Sequence, residues 1–283
     1  MPILYGRHRV STLSERMKIS AILTCFNRRE KTLASLKLWF GQRVPPDVLL
    51  HAVVVDDGSS DGTGEAIRRE FPQVELIQGT GSLYWCGGMR VAWQAAAVGN
   101  PDYYVLVNDD TLLEPFALEE LLKAAPAPEV RRIVVGAIRD PECGEASYGG
   151  WSRLSGLIPP TGRFQDCETF NANCALIPRA VYQEMGGLHG AYTHGMGDFD
   201  YGYQAAKKGI GILQTPGFVG DCARNSWKNT WRDQSLPMAE RLKRLQSPKG
   251  LPWKEWVIYN RRNQGWKWPL FAVSPVLRIL TRR

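Results

Sequence analysis

The sequence predicts an α/β fold: a mostly parallel central sheet with helices on both faces. Short apolar runs alternate with helical segments near a dozen residues long as far as Val107, in the order β-α-β-α-β-α-β. The run Tyr103-Tyr-Val-Leu-Val107 is apolar at every position, as expected of a strand covered on both sides. Two of these runs stop at paired acids, Asp56-Asp57 and Asp109-Asp110, on the strand edge where open α/β sheets bind ligands.

Taken in order, residues 1–17 read as a leader, and Ile19 to Thr24 is the first strand. Cys25-Phe-Asn-Arg-Arg-Glu30 leads into a helix reaching Phe40, with Leu33, Leu36 and Phe40 on one face. Pro45-Pro46 breaks the chain before a second strand, Leu49 to Val55. A helix follows Asp61-Gly62 and runs to about Phe71, and Val74 to Ile77 is a third strand. Gly79 to Gly88 reads as a loop ahead of a helix through Ala97. After Asp110 a helix begins near Pro115, and Ile133 to Ile138 is another strand. The alternation then fades. Tyr148 to Arg153 and Phe170 to Ile177 look like strands in an irregular, substrate-side region. A helix from Asp198 to Lys208 and a strand from Ile210 to Gln214 follow. The organisation is therefore a leader 1–17, a domain 18–222 with halves 18–111 and 112–222, and an extension 223–283.

Of the 283 residues, 44% are hydrophobic and 22% charged, ordinary values for a protein with a core. The net charge of +7 is unevenly spread. From Ala223 onward 14 Lys or Arg face 3 Asp or Glu, whereas the first 222 residues hold 21 against 25. A uniformly basic nucleic-acid binder is thereby disfavoured, and the tail carries no recognisable nucleic-acid module. Its tryptophans (227, 231, 253, 256, 266, 268) and basic residues fit either a solvated surface covering the sheet or peripheral contact with an anionic membrane. Cysteines 25, 86, 143, 167, 174 and 222 show neither CxxC pairs nor regular spacing, so a reducing compartment is the simpler reading. With no signal-like apolar stretch and no run near the ~18 residues needed to span a bilayer, the expected location is the cytoplasm, at the inner face of the cell membrane if the tail docks.

Asp109 and Asp110 repel each other unless a cation lies between them. Mg²⁺ or Mn²⁺ held by one or two carboxylates and substrate phosphates meets that need, while an Asx-type turn into the next helix is the bland alternative. Asp57 either hydrogen-bonds a nucleotide or belongs to a tight turn. An EF-hand starting there fails, because Arg68 stands at the twelfth position. Asp198 and Asp200, after Gly190, Gly195 and Gly197, open a helix, as an N-cap or as a general base reaching an acceptor hydroxyl. A helix starting near Gly87 and Gly88 would offer N–H groups to phosphate. Trp85 either stacks on a sugar or fills the core.

Thr24-Cys-Phe-Asn27, Val55-Asp-Asp-Gly-Ser59, Asn108-Asp-Asp110 and Gly197-Asp-Phe-Asp200 together resemble family 2 glycosyltransferases, over about Lys18 to Gln214. Phe170-Asn-Ala-Asn-Cys-Ala-Leu-Ile-Pro178 is similar to the rhamnosyltransferase-like branch. The resemblance implies the Rossmann-like GT-A fold and an inverting transfer from a nucleotide-diphosphate sugar, dTDP-rhamnose or a UDP-sugar, to a glycan or lipid-linked acceptor in polysaccharide or glycolipid synthesis. It implies donor contacts from Thr24, Phe26, Asn27, Asp57, Gly88 and Asp109, and metal ligation by Asp110. Asp198 becomes the base, with Asp200 able to share the role because Gly197 stands where Glu is usual. Where many members have a metal-binding His, this chain has Gly220-Asp221-Cys222, so Asp221 is the substitute ligand, or Asp110 and the diphosphate suffice. Trp85, Asn171 and Asn173 are the candidate sugar or acceptor contacts. The alternatives are a sugar-phosphate nucleotidyltransferase, and a binding protein of the same fold without activity.

Overall fold

The computed structural model describes residues 16–281, so the expected leader lies almost wholly outside the described residues. The elements run β1 (Met17–Cys25), α1 (Arg29–Phe40), β2 (Val48–Asp56), α2 (Thr63–Glu70), β3 (Glu75–Gln78), α3 (Tyr84–Val98) and β4 (Tyr103–Val107). Next come β5 (Leu112–Leu113), α4 (Ala117–Ala124), β6 (Arg132–Arg139), β7 (Ala146–Tyr148), β8 (Gly150–Ser152), β9 (Gly156–Leu157), β10 (Gln165–Asp166) and β11 (Thr169–Phe170). The chain continues through β12 (Cys174–Pro178), α5 (Arg179–Met185), α6 (Gly197–Lys207) and β13 (Gly211–Asp221). It ends in α7 (Met238–Leu245), α8 (Trp253–Asn263) and α9 (Trp268–Thr281).

The large sheet has the order β10-β13-β6-β12-β4-β1-β2-β3, with β5 on β13 and β7 on β6. Strands β4, β1, β2 and β3 are parallel, as the alternation requires. Cys25 lies beside Asp56 and Ile22 beside Leu106, so the acids that follow β2 and β4 share one edge. Strand β12 runs antiparallel between β4 and β6 and pairs Cys174 with Val107, which brings its N-terminal approach, residues 171–173, to that same edge.

Successive side chains of these strands enter opposite cores, which is why apolar runs without alternation are needed. Leu23, Val54 and Val105 join Leu36 and Trp39 of α1 and Leu118 and Leu121 of α4. Ile22, Val55 and Leu106 join Met89 and Trp93 of α3 and Tyr201 of α6 on the other side. Trp93 lies 5.9 Å from Tyr104 and 5.4 Å from Tyr201 between ring centroids, pinning α3 and α6 to β4.

Several boundaries differ from expectation for local reasons. Tyr148 to Arg153 is not one strand: the chain turns at Gly149, so that β7 joins the large sheet and β8 a separate β11-β8-β9 sheet. Phe170 to Ile177 is likewise divided between the two sheets. Helix α3 begins at Tyr84, inside the stretch read as a loop, and β13 continues past Gln214 to Asp221. Gly88 is therefore an interior residue of α3, where the helix lies against β1. A Cβ there would stand 2.1 Å from Thr24 Oγ1 and 2.7 Å from Thr24 Cβ. Gly88→Ala should destabilise the fold by about 1–3 kcal/mol through overpacking, read as a lowered urea midpoint at unchanged m-value.

Candidate active site

A cavity of about 680 Å³ opens at the strand edge described above. Asp57, Asp109, Asp110 and Asp198, from distant parts of the chain, all line it. Thr24, Phe26, Trp85, Asn171 and Asn173 line it as well.

Each carboxylate is held differently. Asp57 is buried and accepts the N–H groups of Gly81 and Tyr84, both at 2.8 Å, which fixes the turn into α3. Because the first amide of α3 is thus engaged, and Cys86 and Gly87 donate to Thr193 O, the helix start does not present the free N–H groups expected near Gly87. Asp109 and Asp110 converge on a single nitrogen: Arg28 Nη1 lies 2.9 Å from each. Burial pushes Asp109 up to about 6, opposed by the adjacent guanidinium and reinforced by Asp110. Asp198 accepts from the N–H groups of Phe199 at 2.9 Å and Ala172 at 3.2 Å, and burial pushes it up to about 6 against those bonds. No side chain of opposite charge neutralises it among the described residues, so it remains a carboxylate with raised proton affinity facing the cavity.

Four expected residues do not take part in that cavity. Asp200 points away from it: Arg262 Nε lies 2.9 Å and Asn263 Nδ2 2.8 Å from its Oδ1, so its charge is absorbed by α8. Helix periodicity accounts for this, since positions 198 and 200 are two residues apart and face different sides. Asp221 is paired with Arg139, at 2.8 Å and 3.2 Å. The next residue, Cys222, reaches the site instead, with its thiol 3.5 Å from Asp110 Oδ1. Burial and Asp110 push that thiol up to about 12, so it is protonated at neutral pH. Asn27 turns aside to accept the N–H of Ser60 at 2.8 Å. Gly88 lies in the helix interior, packed on Thr24.

Trp85 donates its indole N–H to Asn108 Oδ1 at 2.8 Å, and Asn171 Oδ1 accepts from Trp151 at 2.8 Å. Asn173 donates to Thr111 Oγ1 at 3.3 Å. These bonds orient the cavity wall.

Sequence reasoning missed Arg28, His194 and Lys249, all of which line the cavity. Arg28 stands directly after the Thr24–Asn27 motif, and the distant acid pair was the signal that a fixed cation was needed. His194 is pushed down to about 4 by burial and by the nearby Lys249 and Arg28, so it is a neutral imidazole at pH 7. Lys249 reaches the site from between α7 and α8, as does Asn225 from the start of the extension. Nothing in their local sequence marks either one.

For a divalent cation, the hard carboxylate oxygens of Asp109 and Asp110 already converge on one positive point, which suits Mg²⁺ or Mn²⁺. Among the described residues no cluster of three His, Cys, Asp or Glu side chains is arranged to hold a metal. The remaining coordination would fall to water and ligand phosphates.

Residues 20–186 match the model of glycosyl transferase family 2. The N-acetylglucosaminyl-diphospho-decaprenol L-rhamnosyltransferase of Mycobacterium tuberculosis is 26% identical, over 74% of this chain and 76% of its own length. Among solved structures, the Pyrobaculum calidifontis mannosyltransferase in complex with GDP-mannose and Mn²⁺ aligns with a TM-score of 0.56 and 18% identity, over 95% of this chain and 71% of that one. S. aureus TarS 1–349 in complex with UDP aligns at 0.54 and 13% identity, over 87% of this chain and 70% of that one. These likenesses establish the GT-A fold.

Asp200→Ala should cost about 3 kcal/mol of stability in thermal unfolding by leaving the α8 partners of a buried charge unmatched. Affinity for nucleoside diphosphate, measured by calorimetry below the melting range, should stay within about twofold, because that carboxylate does not face the cavity.

Proposed function

The chain belongs to glycosyl transferase family 2 and is a nucleotide-sugar glycosyltransferase, and from that premise we propose an inverting transfer of a deoxyhexose such as rhamnose to the hydroxyl of a lipid-linked glycan. The M. tuberculosis relative, whose name gives that sugar and a decaprenol-linked acceptor, supports this choice. The observation that carries the mechanism is the convergence of Asp57, Asp110 and Asp198 on one cavity. Family membership argues against the nucleotidyltransferase reading.

In this mechanism the nucleotide lies along the β1–β2 edge, with Phe26 packing beside the base and Thr24 and Asp57 near it. Asp109 lies near the ribose. The diphosphate faces Arg28 and Lys249, whose charges offset its own. Asp110, with Asp109 beside it, would hold Mg²⁺ or Mn²⁺, which when bound neutralises charge on the leaving diphosphate. Asp198 accepts the acceptor hydroxyl proton as that oxygen attacks the anomeric carbon from the face opposite the diphosphate. A carboxylate titrating near 6 suits a general base, being ionised at pH 7 yet more basic than an ordinary aspartate. Asn171 and Trp85 border the space left for the sugars.

The test is a panel of nucleotide sugars with a polyprenyl-diphosphate-linked acceptor, scored for acceptor-dependent release of nucleoside diphosphate. No release with any donor would sink the proposal and favour a protein that binds without catalysing. Asp198→Asn should lower kcat by about 10²–10⁴-fold at unchanged donor affinity. In wild type, kcat/KM should fall about tenfold per pH unit below about 6, as Asp198 becomes protonated, and Asp198→Asn should lessen that fall. Because two acids converge on the metal point among the described residues, Mn²⁺ should bind weakly alone and tightly with nucleoside diphosphate present. Calorimetry showing tight binding without nucleotide would count against Asp109 and Asp110 as the holders.

A further inference from the structure

Helix α9 is apolar on two sides. Ala272, Pro275 and Ile279 are buried, with Ile279 in a small core against Trp231 and Leu245. Pro275 cannot donate to Phe271 O, and Ser274 Oγ takes that acceptor at 2.9 Å, so the helix continues past the proline. The opposite side has no covering among the described residues. Leu270, Val273, Leu277 and Leu280 recur at alternating spacings of three and four and are 41–68% exposed, a stripe with Phe271 at its margin and Trp266, 82% exposed, in the turn just before the helix. Contiguous apolar surface of this kind marks an interaction site.

Charge indicates the occupant. From Trp256 to the last residue the sequence has six Lys or Arg and no acid. Lys267 and Arg278 are exposed beside the stripe, and Lys267 Nζ lies 5.5 Å from the Trp266 ring centroid. Two copies meeting through this face would bring two acid-free basic segments together, whereas anionic headgroups neutralise them. The helix has 14 residues, and among the described residues no helix is long and apolar enough to cross a membrane. An apolar stripe with basic flanks and an interfacial tryptophan suits a helix lying in the bilayer surface.

We propose that α9 docks this protein on an anionic lipid bilayer, with Trp266 and the Leu270–Leu280 stripe in the headgroup boundary and Lys267 and Arg278 on lipid phosphates. Docking through α9 does not depend on which sugar is transferred. Helix α9 packs on α7 and α8, between which the chain carries Lys249 to the site.

The full-length protein is sedimented with vesicles of phosphatidylcholine, with and without about 30% phosphatidylglycerol. Wild type should pellet with the anionic vesicles, less so as salt rises. Leu270→Glu/Leu277→Glu should reduce the partition coefficient at least about tenfold, with melting temperature and nucleotide affinity unchanged. Lipids brominated in the acyl chains should quench part of the wild-type tryptophan emission, and Trp266→Phe should remove most of that part. This arm decides the matter should the double variant not fold. Wild type remaining in the supernatant, a folded double variant pelleting like wild type, or quenching untouched by Trp266→Phe would overturn the proposal. So would a dimer in sedimentation velocity that the double variant dissolves while vesicles fail to pellet wild type.

Discussion

Negative charge concentrated at one sheet edge is the constraint around which this molecule is arranged. Strands β1, β2 and β4 end side by side, and the residues that follow put Asp57, Asp109 and Asp110 into one recess. Such a cluster is tolerable only if each carboxylate is answered locally. Asp57 is answered by two backbone amides, and Asp109 and Asp110 by a single nitrogen of Arg28. Arg28 sits immediately before α1, so the first strand-to-helix crossover supplies the counter-charge for acids placed by the fourth strand. On the proposed function, a dication and a diphosphate would add opposite charges to this arrangement in comparable amount, which would keep the recess near balance with donor bound.

The far wall is made differently. The antiparallel strand β12 enters the sheet from the same edge, bringing Asn171 and Asn173 with it, and α6 sets Asp198 on the cavity that the acid pair also lines. Asp198 has hydrogen bonds but no cation, and its raised proton affinity follows from that asymmetry. Two aspartates of one helix thereby acquire different characters: Asp198 keeps a raised proton affinity at the cavity and Asp200 is locked in an ion pair. Burial alone does not separate them; the nearest guanidinium does.

The first half was legible because its signals are local. Strands covered on both faces require unbroken apolar runs, and the acids at their ends lie within three residues of the last apolar position, as at Val55 and Val107. The second half was less legible because its strands are two to five residues long and belong to two sheets, divided at Gly149 and between Phe170 and Cys174. Asp200 and Asp221 lie outside the cavity for a related reason. Proximity in sequence to a site residue says nothing about which side a charge faces once partners such as Arg262, sixty-two positions on, are in place. Lys249 and His194 carry no motif at all, and only tertiary structure gathers them.

The pairing of Asp200 with Arg262 also bears on how the protein comes into being. Thr193, in the loop ahead of α6, is tied to Glu255 of α8 by two hydrogen bonds, so both the helix bearing Asp198 and its leading loop are braced from the last tenth of the polypeptide. A nascent chain still short of residue 262 can assemble the sheet's nucleotide edge, yet it leaves a buried carboxylate without its counter-charge. The helix that presents Asp198 to the cavity is therefore fully braced only once α8 has been made and packed against it.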